Sequence, residues 1–339
     1  MGLMSSAPNA DQIARDACWL AQALNPAEGV VRLVAMDEKA YRAESFLDDR
    51  LLQQKVDAQL LPWPQIEAAM SSNLRCDARW IFHIGHVGST LVSRLLGELA
   101  NVLALREPRL LRDLAMSPAE MRARYVALVP KLMSRTFGAN EIACVKATSF
   151  VSEIASELVP PGERALLMFA SPRNYVASIL AGENSVKELR MLAPSRAQRI
   201  SRRIPTIDPA NNDAELAAVA WACEMTSLEV AADAMTDRQV AWADFDAMLC
   251  DMEAELTRVA KFFAFACEKT RVAALVRGPL MLRYSKDLGY EYSAALRRDL
   301  IEDAARHFGR EMEGALAMLR RAAERSPLLA RSLARAQEA

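Results

Sequence analysis

Two glycines, a histidine and two hydroxyl residues share one short stretch of the chain, Gly85-His86-Val87-Gly88-Ser89-Thr90. An apolar run at 80–84 precedes it, and residues 91–99 follow with apolar side chains at helical spacing. The pattern therefore predicts a strand, a glycine turn and a helix. Unpaired N–H groups and the positive dipole end at such a helix start attract anions, so the turn is a candidate phosphate-binding loop. The alternative is a purely structural strand-to-helix turn.

The loop differs from the nucleotide-hydrolase pattern GxxxxGK[ST] at two positions. That pattern requires a glycine where His83 stands and a lysine where Ser89 stands. Magnesium-assisted transfer of a γ-phosphate would lack a main charge stabiliser without this lysine. The departure argues against a kinase-like phosphotransferase, which remains the first alternative.

Several further segments have the pattern of buried strands separated by helices. Strands are predicted at 142–145, 165–169 and 239–242, and helices at 151–159, 212–234, 252–263 and 293–325. This alternation is typical of βαβ units and predicts an α/β fold with a parallel sheet. Residues 1–75 carry apolar residues at helical spacing and predict an N-terminal helical extension, which leaves 76–339 as the main α/β domain.

Four motifs along the chain resemble those of sulfotransferases. His86-Val87-Gly88-Ser89-Thr90 is similar to that family's 5′-phosphosulfate loop, in which a basic residue precedes Ser-Gly-Thr-Thr. Glu107 follows at the distance of a family glutamate, and Lys146-Ala147-Thr148 resembles a lysine motif after a strand. Residues 239–245 and 258–263 resemble a later strand-and-helix segment. The likeness covers about residues 80–265.

The resemblance implies a P-loop NTPase-like parallel sheet flanked by helices, and a sulfuryl donor, 3′-phosphoadenosine 5′-phosphosulfate. It implies Glu107 as general base toward a hydroxyl acceptor, and Lys146 and His86 as stabilisers of the sulfuryl and leaving oxygens. No metal is expected. Donor binding is assigned to Gly85, His86, Val87, Gly88, Ser89, Thr90, Arg173, Ser178, Ser285 and Lys286.

Within that donor site, Ser178 and Arg173 are expected to hold the 3′-phosphate. Ala170 stands where the family places an arginine, and Arg173 lies three residues later. The family's C-terminal basic stretch is missing, and residues 283–290, with Ser285 and Lys286, are the expected replacement. A protein that kept the fold but lost donor binding is therefore the second alternative.

Composition limits the function further. The formal net charge is −1, which argues against a general nucleic-acid coat. Six scattered cysteines without a CxxC pair argue against structural zinc and favour a reducing, cytoplasmic location. Neither a leader nor a membrane span is recognisable.

The acceptor is open: a small molecule or a peptide with a hydroxyl group fits equally well. Residues 186–205 hold six basic side chains and predict either a solvated loop or a lid over an anionic ligand. The predicted N-terminal helices offer a surface for a homodimer contact.

Overall fold

The structure is a computed structural model that describes residues 8–54, 56–70, 74–205, 207–282 and 294–337. Within those ranges no helix is long and apolar enough to cross a membrane.

The first part of the chain forms a three-stranded antiparallel sheet, with strands in the order β1-β2-β3. Its strands are β1 (Trp19–Asn25), β2 (Val30–Ala35) and β3 (Ala58–Pro62), and its helices are α1 (Ala10–Arg15), α2 (Glu38–Ala43) and α3 (Trp63–Ala69). The helical prediction for 1–75 is thus wrong for the three strands. Five of the first six residues of β1 are buried, so its apolar run lacks the alternation of a half-exposed strand and imitates a buried helix.

A second, five-stranded sheet is parallel throughout and has the order β5-β6-β4-β7-β8. Its strands are β4 (Arg79–His83), β5 (Val102–Arg106), β6 (Ile142–Lys146), β7 (Arg164–Phe169) and β8 (Gln239–Asp244). The four strands predicted from sequence are confirmed, while β5 was not predicted. The strand that feeds the glycine turn lies in the centre, where the chain changes direction across the sheet, which is the usual ligand position of open α/β sheets. The predicted P-loop-type α/β fold is confirmed.

Helices cover both sheets. The remaining ones are α4 (Ser89–Gly97), α5 (Arg109–Ala115), α6 (Ala119–Val126), α7 (Val129–Met133), α8 (Ala155–Leu158), α9 (Pro172–Leu180), α10 (Glu183–Ser201), α11 (Asp213–Ala234), α12 (Phe245–Cys250), α13 (Met252–Phe262), α14 (Lys269–Val276), α15 (Ala294–His307), α16 (Gly309–Ala323) and α17 (Pro327–Arg335). Short 3₁₀ helices occupy Asp49–Gln53, Ser149–Ile154 and Pro279–Leu282. One apolar core joins the two sheets, with Trp63 and Trp80 fully buried in it.

Two helical predictions change in the structure. The helix predicted over 293–325 is two helices, α15 and α16, which meet at Phe308. The basic segment 186–205 is mostly helix α10 and not the solvated loop, because its arginines pair with acidic side chains of neighbouring helices. The alternative that this segment is a lid over an anionic ligand stays a prediction.

Candidate functional site

The glycine turn curls back on itself between β4 and α4. Gly85, His86 and Gly88 have positive φ angles of 83°, 54° and 59°. Glycine adopts such angles without strain, whereas His86 is held in this region as a non-glycine residue. Gly88 is the N-cap of α4, and no described side chain caps that helix. The first N–H groups of α4 are therefore available to an outside acceptor.

Gly88 is required for a second reason, which is the close packing of Phe245. A Cβ atom built on Gly88 would lie 1.9 Å from Cζ of Phe245, a buried residue at the start of α12. Val87, Ser89 and Thr90 are also buried. The predicted loop residues are thus brought together as a rigid turn, in which Val87 anchors the core while the backbone forms the cradle.

Glu107 and Lys146 meet at the carboxyl ends of β5 and β6. Arg106 and Lys146 are register partners, so Glu107 follows directly, and its N–H donates to the Lys146 carbonyl at 2.7 Å. The Lys146 ammonium donates to Glu107 Oε1, and Thr148 Oγ1 donates to Oε2 at 3.3 Å. Glu107 also has a positive φ of 55°. The side chain of Lys146 is 1 % exposed and that of Glu107 13 %, so the carboxylate is the partner that solvent reaches.

His83, the last residue of β4, links this ion pair to the loop. Its Nδ1 accepts a hydrogen bond from the Gly85 N–H at 2.9 Å, which leaves the ring proton on Nε2. Nε2 lies 3.9 Å from Glu107 Oε1. From the sequence, His83 is a residue of the predicted strand and a departure from the GxxxxGK[ST] pattern, with no predicted role. Its position at the end of the strand that feeds the loop was the available signal.

The first part of the chain also reaches this site. The buried Phe46 ring lies 5.3 Å from the Lys146 ammonium, and the Arg50 guanidinium lies over the same ring at 3.6 Å. The Leu47 N–H donates to the Arg106 carbonyl at 2.7 Å, which fixes this segment beside β5. No sequence pattern indicated that Phe46 would contact Lys146.

The residues predicted to hold the 3′-phosphate each have another partner in the structure. Arg173 is exposed and forms an ion pair with Glu313 of α16, beside a cavity of about 280 Å³. Ser178 Oγ donates to the Tyr175 carbonyl at 2.8 Å. Ala170 is fully buried, and its carbonyl accepts from Trp221 Nε1 at 2.9 Å, so the place of the family arginine is filled by core. Arg173 and Ser178 each have a partner within the chain, and their joint role in binding a 3′-phosphate stays a prediction.

Three further residues were predicted to bind the donor or act in catalysis: His86, Ser285 and Lys286. The His86 ring is half-buried and meets the Tyr175 ring edge-on at 6.1 Å, so it faces α9. Ser285 and Lys286 lie outside the described residues. In the part of the chain that is described, no group of three or more His, Cys, Asp or Glu side chains is arranged to hold a metal ion.

Asp244 at the end of β8 belongs to a polar group next to Phe245. Its Oδ1 accepts from the N–H groups of Asp246 and Ala247 at 2.7 and 3.3 Å and so caps α12. Burial raises the pKa of Asp244, although these two amides oppose the shift. Asp246 in turn accepts from Asn174 at 3.0 Å and pairs with Arg297 of α15 at 3.0 Å.

Comparisons with known proteins give no family by sequence. No protein-family model matches the chain, and no curated protein matches it. Among solved structures, the sulfotransferase domain from the curacin biosynthetic pathway is similar, with a TM-score of 0.41 and 10 % identity over 70 % of this chain and 99 % of that one. Mouse sulfotransferase SULT7A1, in a structure complexed with PAP, has a TM-score of 0.43 and 10 % identity over 76 % of this chain and 88 % of its own. Both similar structures are sulfotransferases.

Proposed function

We propose that this chain is a sulfotransferase that moves a sulfuryl group from 3′-phosphoadenosine 5′-phosphosulfate to a hydroxyl acceptor. The observation that carries the proposal is His83, which contacts the phosphate loop through Gly85 and approaches Glu107 of the Glu107–Lys146 pair. An anion cradle, a carboxylate and a cation thus lie around one point at the carboxyl edge of the sheet. Transfer of an anionic group between oxygens needs these three components.

The residues present fit the 5′-phosphosulfate part of the donor. The uncapped N-terminus of α4 and the positive-φ turn at Gly85–Gly88 offer backbone donors. When bound, the donor supplies an activated sulfuryl group whose leaving group is the 5′-phosphate. The amides of Gly88, Ser89 and Thr90 would hold that phosphate, and Lys146 would neutralise the charge that grows on the transferring and leaving oxygens.

Glu107 is proposed as the general base. Its carboxylate is held in place by the ion pair with Lys146, and its partial exposure lets an acceptor hydroxyl approach. As the new oxygen–sulfur bond forms, Glu107 accepts the hydroxyl proton, and the electron pair of the broken bond stays on the 5′-phosphate. His83 Nε2–H, fixed by the Gly85 bond, lies 3.9 Å from this carboxylate, which is close enough for electrostatic attraction but too far for a hydrogen bond.

The decisive experiment is a calorimetric titration with 3′-phosphoadenosine 5′-phosphate, in parallel with Mg·ATP. We expect the bisphosphate to bind with a Kd of roughly 1–100 μM, the range of ordinary enzyme substrates. Thr90→Val, which removes one loop hydroxyl, should weaken this binding, whereas Thr257→Val on helix α13, whose hydroxyl donates to the Glu253 carbonyl, serves as control. Binding of Mg·ATP alone would favour a phosphotransferase, and binding of neither compound would overturn the proposal.

A further inference from the structure

Helix α10 is held in place mainly by charges. Of its 19 residues only Leu189, Arg196 and Ile200 are buried, so two apolar side chains anchor it. Pro194 lies inside the helix, where a proline removes one backbone hydrogen bond and weakens the helix locally. A helix with few apolar contacts and an internal proline can be displaced more easily than a core helix.

The charges that hold α10 centre on Glu224 of α11, whose side chain is 1 % exposed. Arg196 Nε lies 3.2 Å from Glu224 Oε1, and Arg199 Nη2 lies 2.5 Å from the same oxygen. Glu153 pairs with Arg199 at 3.1 Å and with Arg203 at 2.8 Å. Three guanidinium groups thus share two carboxylates through direct ion pairs.

Three polar atoms of this cluster are buried without a hydrogen-bond partner among the described residues. They are Arg196 Nη1, Arg199 Nε and the Tyr175 hydroxyl. Burial raises the pKa of Tyr175; the charge of Arg196 acts against that shift, and the carboxylates of Glu224 and Glu188 add to it. Leaving a buried donor unsatisfied is unfavourable, and more so for a charged group. All three atoms can donate, and an anionic oxygen would satisfy them.

The cluster adjoins the phosphate loop on two sides. Tyr175 meets the His86 ring edge-on at 6.1 Å. Phe150 lies under the Arg199 guanidinium at 5.9 Å, and its neighbour Ser149 would be 3.9 Å from a Cβ on Gly85. The unsatisfied donors therefore lie next to the loop that is assigned above to the sulfuryl donor.

We propose that Arg196, Arg199 and Tyr175 bind an anionic group of the acceptor, a carboxylate or a phosphate, and that α10 closes over it. The acceptor is then a hydroxyl compound with a negative charge, an assignment that rests on the proposed function. Its acidic oxygens accept hydrogen bonds from the three donors. Displacement of α10 near Pro194 gives the ligand access.

The test is a titration with inorganic sulfate of protein saturated with 3′-phosphoadenosine 5′-phosphate, so that the loop is already filled. We expect one sulfate site, with affinity reduced about tenfold in Tyr175→Phe and more in Arg196→Met, as expected when one or more hydrogen bonds to an anion are lost. Arg190→Gln, on the same helix but exposed and paired with Asp213, should leave sulfate affinity unchanged.

Thermal unfolding separates this role from a purely structural one. Tyr175→Phe removes a hydroxyl without a partner, so its Tm should equal or exceed that of the parent while sulfate binding weakens. Absence of sulfate binding, or binding that both Tyr175→Phe and Arg196→Met leave unchanged, overturns the inference. If the bisphosphate does not bind, the proposed function fails, and sulfate can then also occupy the empty loop. Sulfate bound at the loop should not respond to Tyr175→Phe. A loss of sulfate affinity in Tyr175→Phe therefore still tests the site at Arg196 and Arg199.

Discussion

Two buried ion-pair clusters lie on either side of the phosphate loop, and they are built differently. In the first, Glu107 and Lys146 extend from neighbouring strand ends, where backbone hydrogen bonds fix their separation. In the second, Glu224 meets Arg196 and Arg199 across two helices, through long side chains and with donors left unsatisfied. Strand ends preorganise a charge pair for chemistry, whereas the helix cluster holds a movable element and retains spare hydrogen-bonding capacity.

The largest expected effect is on turnover at the strand-end pair. Glu107→Gln keeps the size of the side chain but removes the proton acceptor, so kcat should fall about 10²–10⁴-fold, the usual contribution of a general base. The Kd for 3′-phosphoadenosine 5′-phosphate should remain within about threefold, because the loop is untouched. Steady-state sulfuryl transfer and calorimetry give both values.

Glu163→Gln is the matched control for that substitution. Glu163 pairs with Arg79 at the opposite, amino-terminal edge of the same sheet. Loss of this pair should lower stability slightly and leave kcat unchanged. Equal kcat losses in the two variants would remove the distinction between the two edges.

A substitution in the helix cluster should change the stability of the protein. Glu224→Gln leaves Arg196 and Arg199 without their buried counter-charge, so the free energy of unfolding should fall by about 3–5 kcal/mol. Burial alone would raise the pKa of Glu224, but Arg199 and Arg196 lower it below its ordinary value of 4.5. The stability that Glu224 provides is therefore present above pH 4.5 and is lost as the pH falls through the lowered pKa.

Chemical denaturation of the parent and Glu224→Gln from pH 7 to pH 3 checks this prediction. The gap between the two proteins should be constant above pH 4.5 and shrink below it. A gap that does not change with pH would mean that the carboxylate charge is not what holds α10.

A substitution in the glycine turn tests how rigidly this part of the site is packed. Gly88→Ala combines a positive φ of 59° with a Cβ 1.9 Å from Phe245 Cζ. Left-handed strain of about 1–2 kcal/mol and overpacking of about 1–3 kcal/mol should together lower the free energy of unfolding by about 2–5 kcal/mol.

Gly29→Ala separates the two components. Gly29 has a similar φ of 65°, but its added Cβ would be 3.5 Å from the nearest atom, the Tyr125 hydroxyl. Urea denaturation of both variants should show the strain alone at Gly29 and the larger loss at Gly88. Equal losses would mean that Phe245 moves aside without cost.

The smallest expected effect concerns Asp244, a strand-end carboxylate whose pKa is raised by burial. A raised pKa means that the charged form lowers stability above the ordinary value of 3.8, and that this penalty disappears at lower pH. Asp244→Asn keeps the cap on α12 and should slightly raise Tm at pH 7 but not at pH 3. A lower Tm at pH 7 would show that the carboxylate charge stabilises the cap.

Part of the site was predictable from sequence because its signals are local. The glycine turn, β4 and α4 follow each other within one short segment, and Lys146 stands at the end of a predicted strand. Glu107 follows a strand that was not predicted, and only the family resemblance indicated it. His83 and Phe46 were missed because one lies inside an apolar run and the other belongs to a distant segment. The helical prediction for 1–75 failed because strands buried on both faces lose their alternation.

Local sequence signals were enough for the glycine turn and four strands of the parallel sheet, since turn chemistry and apolar periodicity are properties of neighbouring residues. The family resemblance named the candidate base and cation. Which charges meet depends on the tertiary fold. Strand order brought Glu107 to Lys146 and His83, α10 and α11 enclosed Glu224 between arginines, and the core closed over Ala170. These contacts join residues far apart in the chain, so packing and burial across the whole fold select them.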